Sequence, residues 1–162
     1  MKAIAQITGW LAAIGIVASA GAAAAASPAY LDDRSTAASL VKSFYNAVNR
    51  HEYARAYTYF GANPPQPYQP FADGYADTAS VTVVTGAATS DGAAGSTYFT
   101  LPVAIDAVQS NGTHRQFAGC YTTRLIQPGV QDPPVTPMFI YKANLHAAHG
   151  PIGSLLPHCQ PN

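Results

Sequence analysis

Residues 40–60 carry apolar side chains at the three- and four-residue spacing of two consecutive amphipathic helices. The first helix is predicted over residues 36–50. Its N-cap candidates are Asp32, Asp33 and Ser35. Polar residues at 49–51 interrupt the apolar pattern. The pattern then resumes in a second, shorter helix, which is predicted to end at Gly61. Because β-type patterns dominate after this point, the order of elements restricts the chain to the α+β class.

The second half of the chain shows the alternation of β-strands. Strands are predicted over residues 80–85, 96–110, 113–127 and 138–145, with one helical turn at 71–75 before them. Asn111-Gly112 joins the two long strands and is a strong signal for a tight hairpin. The same residues with Thr113 match a glycosylation acceptor, but we favour the turn. We therefore expect two or three N-terminal helices on a mainly antiparallel sheet of four to six strands.

Alternation along the first long strand separates an apolar face from a more polar one. The apolar set is Phe99, Leu101, Val103, Ile105 and Ala107. The opposite set is Tyr98, Thr100, Pro102, Ala104, Asp106 and Val108. The apolar set is predicted to form the core or to line a cavity under the helices.

Residues 1–26 have the composition of a secretion signal. Lys2 precedes a short apolar segment, and the alanine-rich end provides cleavage sites, of which we favour the one after Ala26. Uncleaved anchoring in the membrane is the alternative, because small and apolar residues continue through most of this segment. With cleavage, the chain is expected to be exported to the periplasm or secreted, and to keep no membrane span.

Residues 27–162 are expected to form a single domain, with proline-rich loops at 63–70 and 128–137 and a tail at 146–162. Without Lys2, seven basic residues face eight acidic ones, so the formal charge is −1. Neither sign of charge is clustered. Since nucleic-acid binding needs a basic patch, a nucleic-acid partner is not expected.

Cys120 and Cys159 are the two cysteines of the chain. In an oxidising compartment such a pair is usually bridged, and we predict a disulfide that fixes the tail to a strand. A reactive thiol is the alternative, but it needs a basic neighbour that the sequence around Cys120 does not supply.

Histidines near the C-terminus raise the question of a metal site. The candidates are His146, His149 and His158, with Cys159 as a fourth donor. Their spacing is weak for a metal site, and a bridged Cys159 cannot serve as a thiolate ligand. We predict neither a metal nor a cofactor.

Two sequence patterns resemble the nuclear-transport-factor-2-like superfamily, which includes ketosteroid isomerases and polyketide cyclases. They are Phe44-Tyr45-x-Ala47-Val48-Asn49 and Tyr53-x-x-Ala56-Tyr57-x-x-Phe60, followed by a sheet with a long hairpin. The resemblance implies a strongly curved sheet wrapped around the helices as a cone-shaped half-barrel, with a cavity at its wide end.

Catalytic members of that superfamily need a carboxylate base opposite a tyrosine donor, or histidines in the dehydratases. No complete catalytic set can be assigned to this sequence. Asp77 and Asp106 are the strand-region carboxylates, but Asp106 falls on the polar face of its strand. The candidate pocket residues are Tyr45, Tyr57, Asp77, Tyr98 and Tyr121.

The leading functional hypothesis is an exported, non-catalytic domain that binds a small apolar ligand or an envelope protein. A small pocket isomerase, cyclase or dehydratase, with a carboxylate and tyrosine donors, is the first alternative. A structural module that forms a homodimer through its sheet is the second.

Overall fold

The structure is a computed structural model and describes residues 27–62 and 64–160. The predicted signal and its cleavage site lie outside the described residues. Its elements are α1 (Ala37–Asn49), α2 (Tyr53–Thr58), α3 (Tyr68–Asp73), β1 (Thr78–Thr85), β2 (Thr89–Ala93), β3 (Ser96–Gln109), β4 (His114–Ile126) and β5 (Phe139–Ala148). A short 3-10 turn follows β4 at Pro128–Val130, and another follows β5 at Ile152–Ser154. Among the described helices, none has the length and apolar character needed to cross a membrane.

The five strands form one open antiparallel sheet in the order β1-β3-β4-β5, while β2 pairs with the first part of β3. The β3–β4 hairpin provides the long central pair, which extends from Ser96 opposite Ile126 to Val108 opposite His114. The predicted α+β class, N-terminal helices and antiparallel sheet are confirmed. We call the sheet face toward the helices the inner face and the opposite one the outer face.

The N-cap of helix α1 lies one residue after Ser35, the last of the predicted cap candidates. The side chain of Thr36 accepts a hydrogen bond from the Ser39 amide at 3.0 Å and so provides the N-cap. The carboxylate of Asp33 instead accepts from the Ser35 amide at 2.9 Å, in a local turn. Asp32 accepts from the hydroxyl of Tyr59 at 2.8 Å. The acidic residues therefore hold the segment before α1, and the cap is a threonine.

The predicted loop at 63–70 shares its last three residues with α3, which begins at Tyr68. Asn63 lies outside the described residues. Pro70 is in the first turn of this helix, where the amide of an ordinary residue would have no partner within the helix. Residues 68–70 were predicted as loop but are helical, because a proline is tolerated in a first turn.

Strand β2 (Thr89–Ala93) was not among the predicted strands. Every residue of β2 is exposed, so the strand has no buried face and no apolar alternation to detect. Its pairing with β3 comes from the tight turn at Ala94 and Gly95, which both have positive φ.

The core lies between α1 and the inner face of the sheet. Phe44 of α1 is at its centre and contacts the rings of Tyr45, Tyr59, Phe60, Phe71 and Tyr75. From β3 the predicted apolar set contributes buried Leu101, Val103, Ile105 and Ala107, with Phe99 partly buried. Burying these aromatic and aliphatic side chains provides the main favourable term for folding.

The C-terminal tail lies on the outer face of the sheet. Cys120 of β4 is bonded to Cys159, with 5.9 Å between the Cα atoms, so the predicted disulfide is confirmed. Strand alternation places Cys120 on the face opposite Tyr121. The neighbouring Gly119 leaves no room for a side chain, because a Cβ atom there would overlap the carbonyl oxygen of Asn144.

Asn49, the last residue of α1, connects the helix to strand β1. Its side-chain amide donates to the carbonyl oxygen of Val81 at 2.8 Å and accepts from the Val81 amide at 2.6 Å. The side chain thus satisfies both backbone groups of one β1 residue, as a neighbouring strand would. This contact fixes the helix end against the sheet.

Candidate functional site

A cavity of about 670 Å³ lies between the helices and the inner face of the sheet. Aromatic rings form its helix side: Phe44, Tyr45, Phe60, Phe71 and Tyr75. Phe117, Tyr121, Leu145, Ile105 and Ala107 contribute to its sheet side. Its size and apolar lining are those of a site for a small organic molecule.

Few polar side chains line the cavity. Besides the tyrosines, they are Gln66, Thr78, Gln109, Arg115 and Lys142. No Asp, Glu or His is among the described residues of the lining. The two formally charged residues of this described lining, Arg115 and Lys142, are therefore both positive.

Tyr45 of α1 and Tyr121 of β4 meet in the interior. Their hydroxyl oxygens are 2.7 Å apart, and the side chains are 2% and 3% exposed. One phenol donates a hydrogen bond to the other, so the second hydroxyl group of the pair keeps an O–H that this bond does not use. A ligand oxygen that enters the cavity can accept a hydrogen bond from it. The pair can therefore recognise one hydrogen-bond acceptor within an apolar site.

Burial changes the acidity of these phenols. Loss of contact with water raises the pKa of Tyr45 well above its usual value of 10.0, and it raises the pKa of Tyr121 in the same direction. Burial also raises the pKa of the neighbouring Tyr75 to about 12. All three remain neutral donors at physiological pH.

These shifts predict a loss of stability in alkali. The folded state holds the phenol protons more tightly than the unfolded state, in which tyrosine ionises near pH 10. Above that pH the free energy of unfolding should fall by up to about 1.4 kcal/mol per pH unit for each tyrosine that ionises on unfolding only. Denaturant unfolding at a series of pH values measures the slope.

The double variant Tyr45→Phe/Tyr121→Phe should lower this alkaline slope. An unchanged slope in the double variant would contradict the assignment of these two phenols.

Arg115 is placed on the inner face at the hairpin end of the cavity. It pairs with Ala107 and follows the alternation of Phe117 and Tyr121 along β4. Among the described residues, no carboxylate lies within 4.0 Å of its guanidinium. It also lines a smaller hollow of about 400 Å³ with Gln109 and Asp77. The guanidinium is therefore available to a ligand.

The candidate residues from the sequence fall in different places. Tyr45 and Tyr121 line the cavity and contact each other. Tyr57 packs against Phe71 outside the described lining, and its hydroxyl donates to the carbonyl oxygen of Gln66 at 2.9 Å. Asp77 belongs to the smaller hollow. The five candidates therefore do not form one cluster.

The remaining strand-region candidates lie away from the tyrosine pair. Tyr98 packs against Tyr141 and beneath the guanidinium of Arg124. The carboxylate of Asp106 is 3.0 Å from Nδ1 of His114. These contacts give both side chains partners of their own, so neither completes a site with Tyr45 and Tyr121.

Sequence reasoning did not select Arg115 for the site. Arg115 could have been found by extending the inner-face alternation of β4 two residues back from Phe117.

The C-terminal histidines do not gather into a ligand cluster. Cys159 is bonded to Cys120, so its sulfur is not a thiolate. His146 is part of β5, where it pairs with Ala118. Within residues 27–62 and 64–160, no group of three or more His, Cys, Asp or Glu side chains could hold a metal ion.

The geometry defines an α+β domain with an apolar cavity between its helices and its sheet, lined by a buried tyrosine pair and an arginine. Comparison with protein-family models, with curated proteins and with solved structures found no match. The cavity is therefore the feature of the domain that bears on its function.

Proposed function

We propose that this protein is a non-catalytic binding domain that holds a small, largely apolar ligand in the cavity between its helices and its sheet. The observation that carries the proposal is the cavity of about 670 Å³, lined by aromatic and aliphatic side chains around the Tyr45–Tyr121 pair. An apolar ligand would gain free energy by leaving water, and one acceptor oxygen would orient it against a phenol.

The chemistry of the lining favours binding over catalysis. An isomerase or dehydratase of the kind considered above needs a carboxylate or imidazole to remove a proton. The described lining offers none, and its phenols have pKa values raised by burial, which makes them poor proton acceptors at neutral pH. We therefore do not propose a reaction.

The proposal also includes the setting of the domain. We propose an exported member of the nuclear-transport-factor-2-like superfamily, with a curved, cone-shaped sheet. Support comes from the order of helices and sheet and from the Cys120–Cys159 bridge, which suits an oxidising compartment. A small ligand is favoured over an envelope protein because the apolar lining lies in a cavity between two layers.

A neutral fluorescent probe tests the binding site. Phenylnaphthylamine should bind the purified protein with a rise in emission and a stoichiometry of one. Ala143→Trp places a large ring in the lining from β5 and should weaken binding at least about tenfold. Fluorescence titration measures the affinity, and the unfolding midpoint verifies that the variant is folded.

His146→Trp is the control. His146 is exposed and lies on the same strand, three residues after Ala143, but alternation places it on the outer face and it is not among the described residues of the lining. This variant should bind the probe as the unchanged protein does. Absence of probe binding to the unchanged protein, or equal binding by Ala143→Trp, would overturn the proposal.

A further inference from the structure

The charged residues that line the cavity indicate the charge of the ligand that it would bind. Its described lining contains Arg115 and Lys142 but no acidic side chain, although the whole chain has equal numbers of basic and acidic residues. No carboxylate of the described residues lies within 4.0 Å of either cation. A cation that borders an apolar cavity without a protein counter-ion favours an anionic ligand group.

The position of Arg115 separates this charge from the tyrosine pair. Both Arg115 and Tyr121 are on the inner face of β4, six residues apart, which corresponds to about 20 Å along a strand. Phe117 and Ile105 pair across β4 and β3 in the interval between them. The inner face therefore presents a cation at one end, apolar side chains in the middle and buried phenols beyond.

We propose that the ligand is an anionic amphiphile, whose acidic head group pairs with the guanidinium of Arg115 while its apolar body lies along the cavity toward Tyr45 and Tyr121. The guanidinium suits a carboxylate because it can donate two parallel hydrogen bonds. This inference rests on the proposed binding function and adds the charge of the ligand and the position of its head.

Two other charged side chains bear on this arrangement. Asp77 lines the smaller hollow beside Arg115 and reduces the positive potential there without forming an ion pair. Lys142 pairs with Thr122, next to the strand position of Tyr121, and so lies near the other end. Arg115 is preferred for the head group because alternation places it on the inner face and its planar guanidinium can bind a carboxylate through two bonds.

Competition against phenylnaphthylamine tests the charge preference. Decanoate and decanol have the same chain length and differ in the head group, and decanoate is ionised at about pH 7.5. Decanoate should displace the probe about tenfold better than decanol does. Arg115→Gln should remove this preference by weakening decanoate alone, and added salt should reduce it in the unchanged protein.

Lys42→Gln is the matched control, since it removes the same charge from an exposed position of α1. It should keep the preference for decanoate. Equal displacement by decanoate and decanol, or a preference that survives Arg115→Gln, would overturn this inference while leaving the binding function intact. If phenylnaphthylamine itself does not bind, the proposed function fails first and the inference fails with it.

Discussion

Phe44→Ala should lower the free energy of unfolding by about 3–5 kcal/mol, the range observed when a buried aromatic side chain is truncated. Phe44 is 1% exposed and contacts five other rings, which come from α1, α3 and the segments that follow α2 and α3. Its removal leaves a hole that several elements would have to move to fill. Denaturant unfolding followed by circular dichroism measures the loss.

Phe117→Ala is the comparison for this effect. Phe117 is only partly buried, so truncation there should cost less than half as much. Equal losses in the two variants would show that the aromatic cluster around Phe44 is not the centre of the stability of the domain.

Removing the disulfide should have the second large effect. The double variant Cys120→Ala/Cys159→Ala removes the bond that closes a loop between two residues 39 positions apart in the sequence. The chain-entropy account gives about 4 kcal/mol for a loop of this length. The midpoint of thermal or denaturant unfolding should fall accordingly, and reductant should destabilise the unchanged protein but not the double variant.

The double variant should still bind phenylnaphthylamine under conditions where it is folded. Cys120 is on the outer face, whereas the cavity is on the inner face, so the bridge contributes to stability and not to the lining. A loss of probe binding in a folded double variant would contradict this separation of the two faces.

The elements with a strong pattern could be predicted from the sequence. Helix α1 and the β3–β4 hairpin carry regular apolar spacing, and Asn111-Gly112 marks the turn. Strand β2 could not be predicted, because none of its side chains is buried. Helix α3 began earlier than expected because Pro70 fits its first turn.

The site was less predictable than the fold. Tyr45 and Tyr121 were among the candidates, but their direct contact depends on how α1 packs across the sheet. Asp77 was grouped with them on its chemistry, and the register of β1 instead places it beside the hairpin end. A pattern along one element locates a face, whereas a site needs the relative placement of several elements.

The contact between Asn49 and Val81 has a consequence for how the protein behaves in concentrated solution. The edge strands of an open sheet have unpaired backbone groups that can pair with a strand of another molecule and start aggregation. Asn49 occupies both backbone groups of Val81 and so blocks that position of β1. A single side chain therefore hinders self-association through β1 at this position. The Asn49 contact does not protect β5, which lies at the other edge of the described sheet.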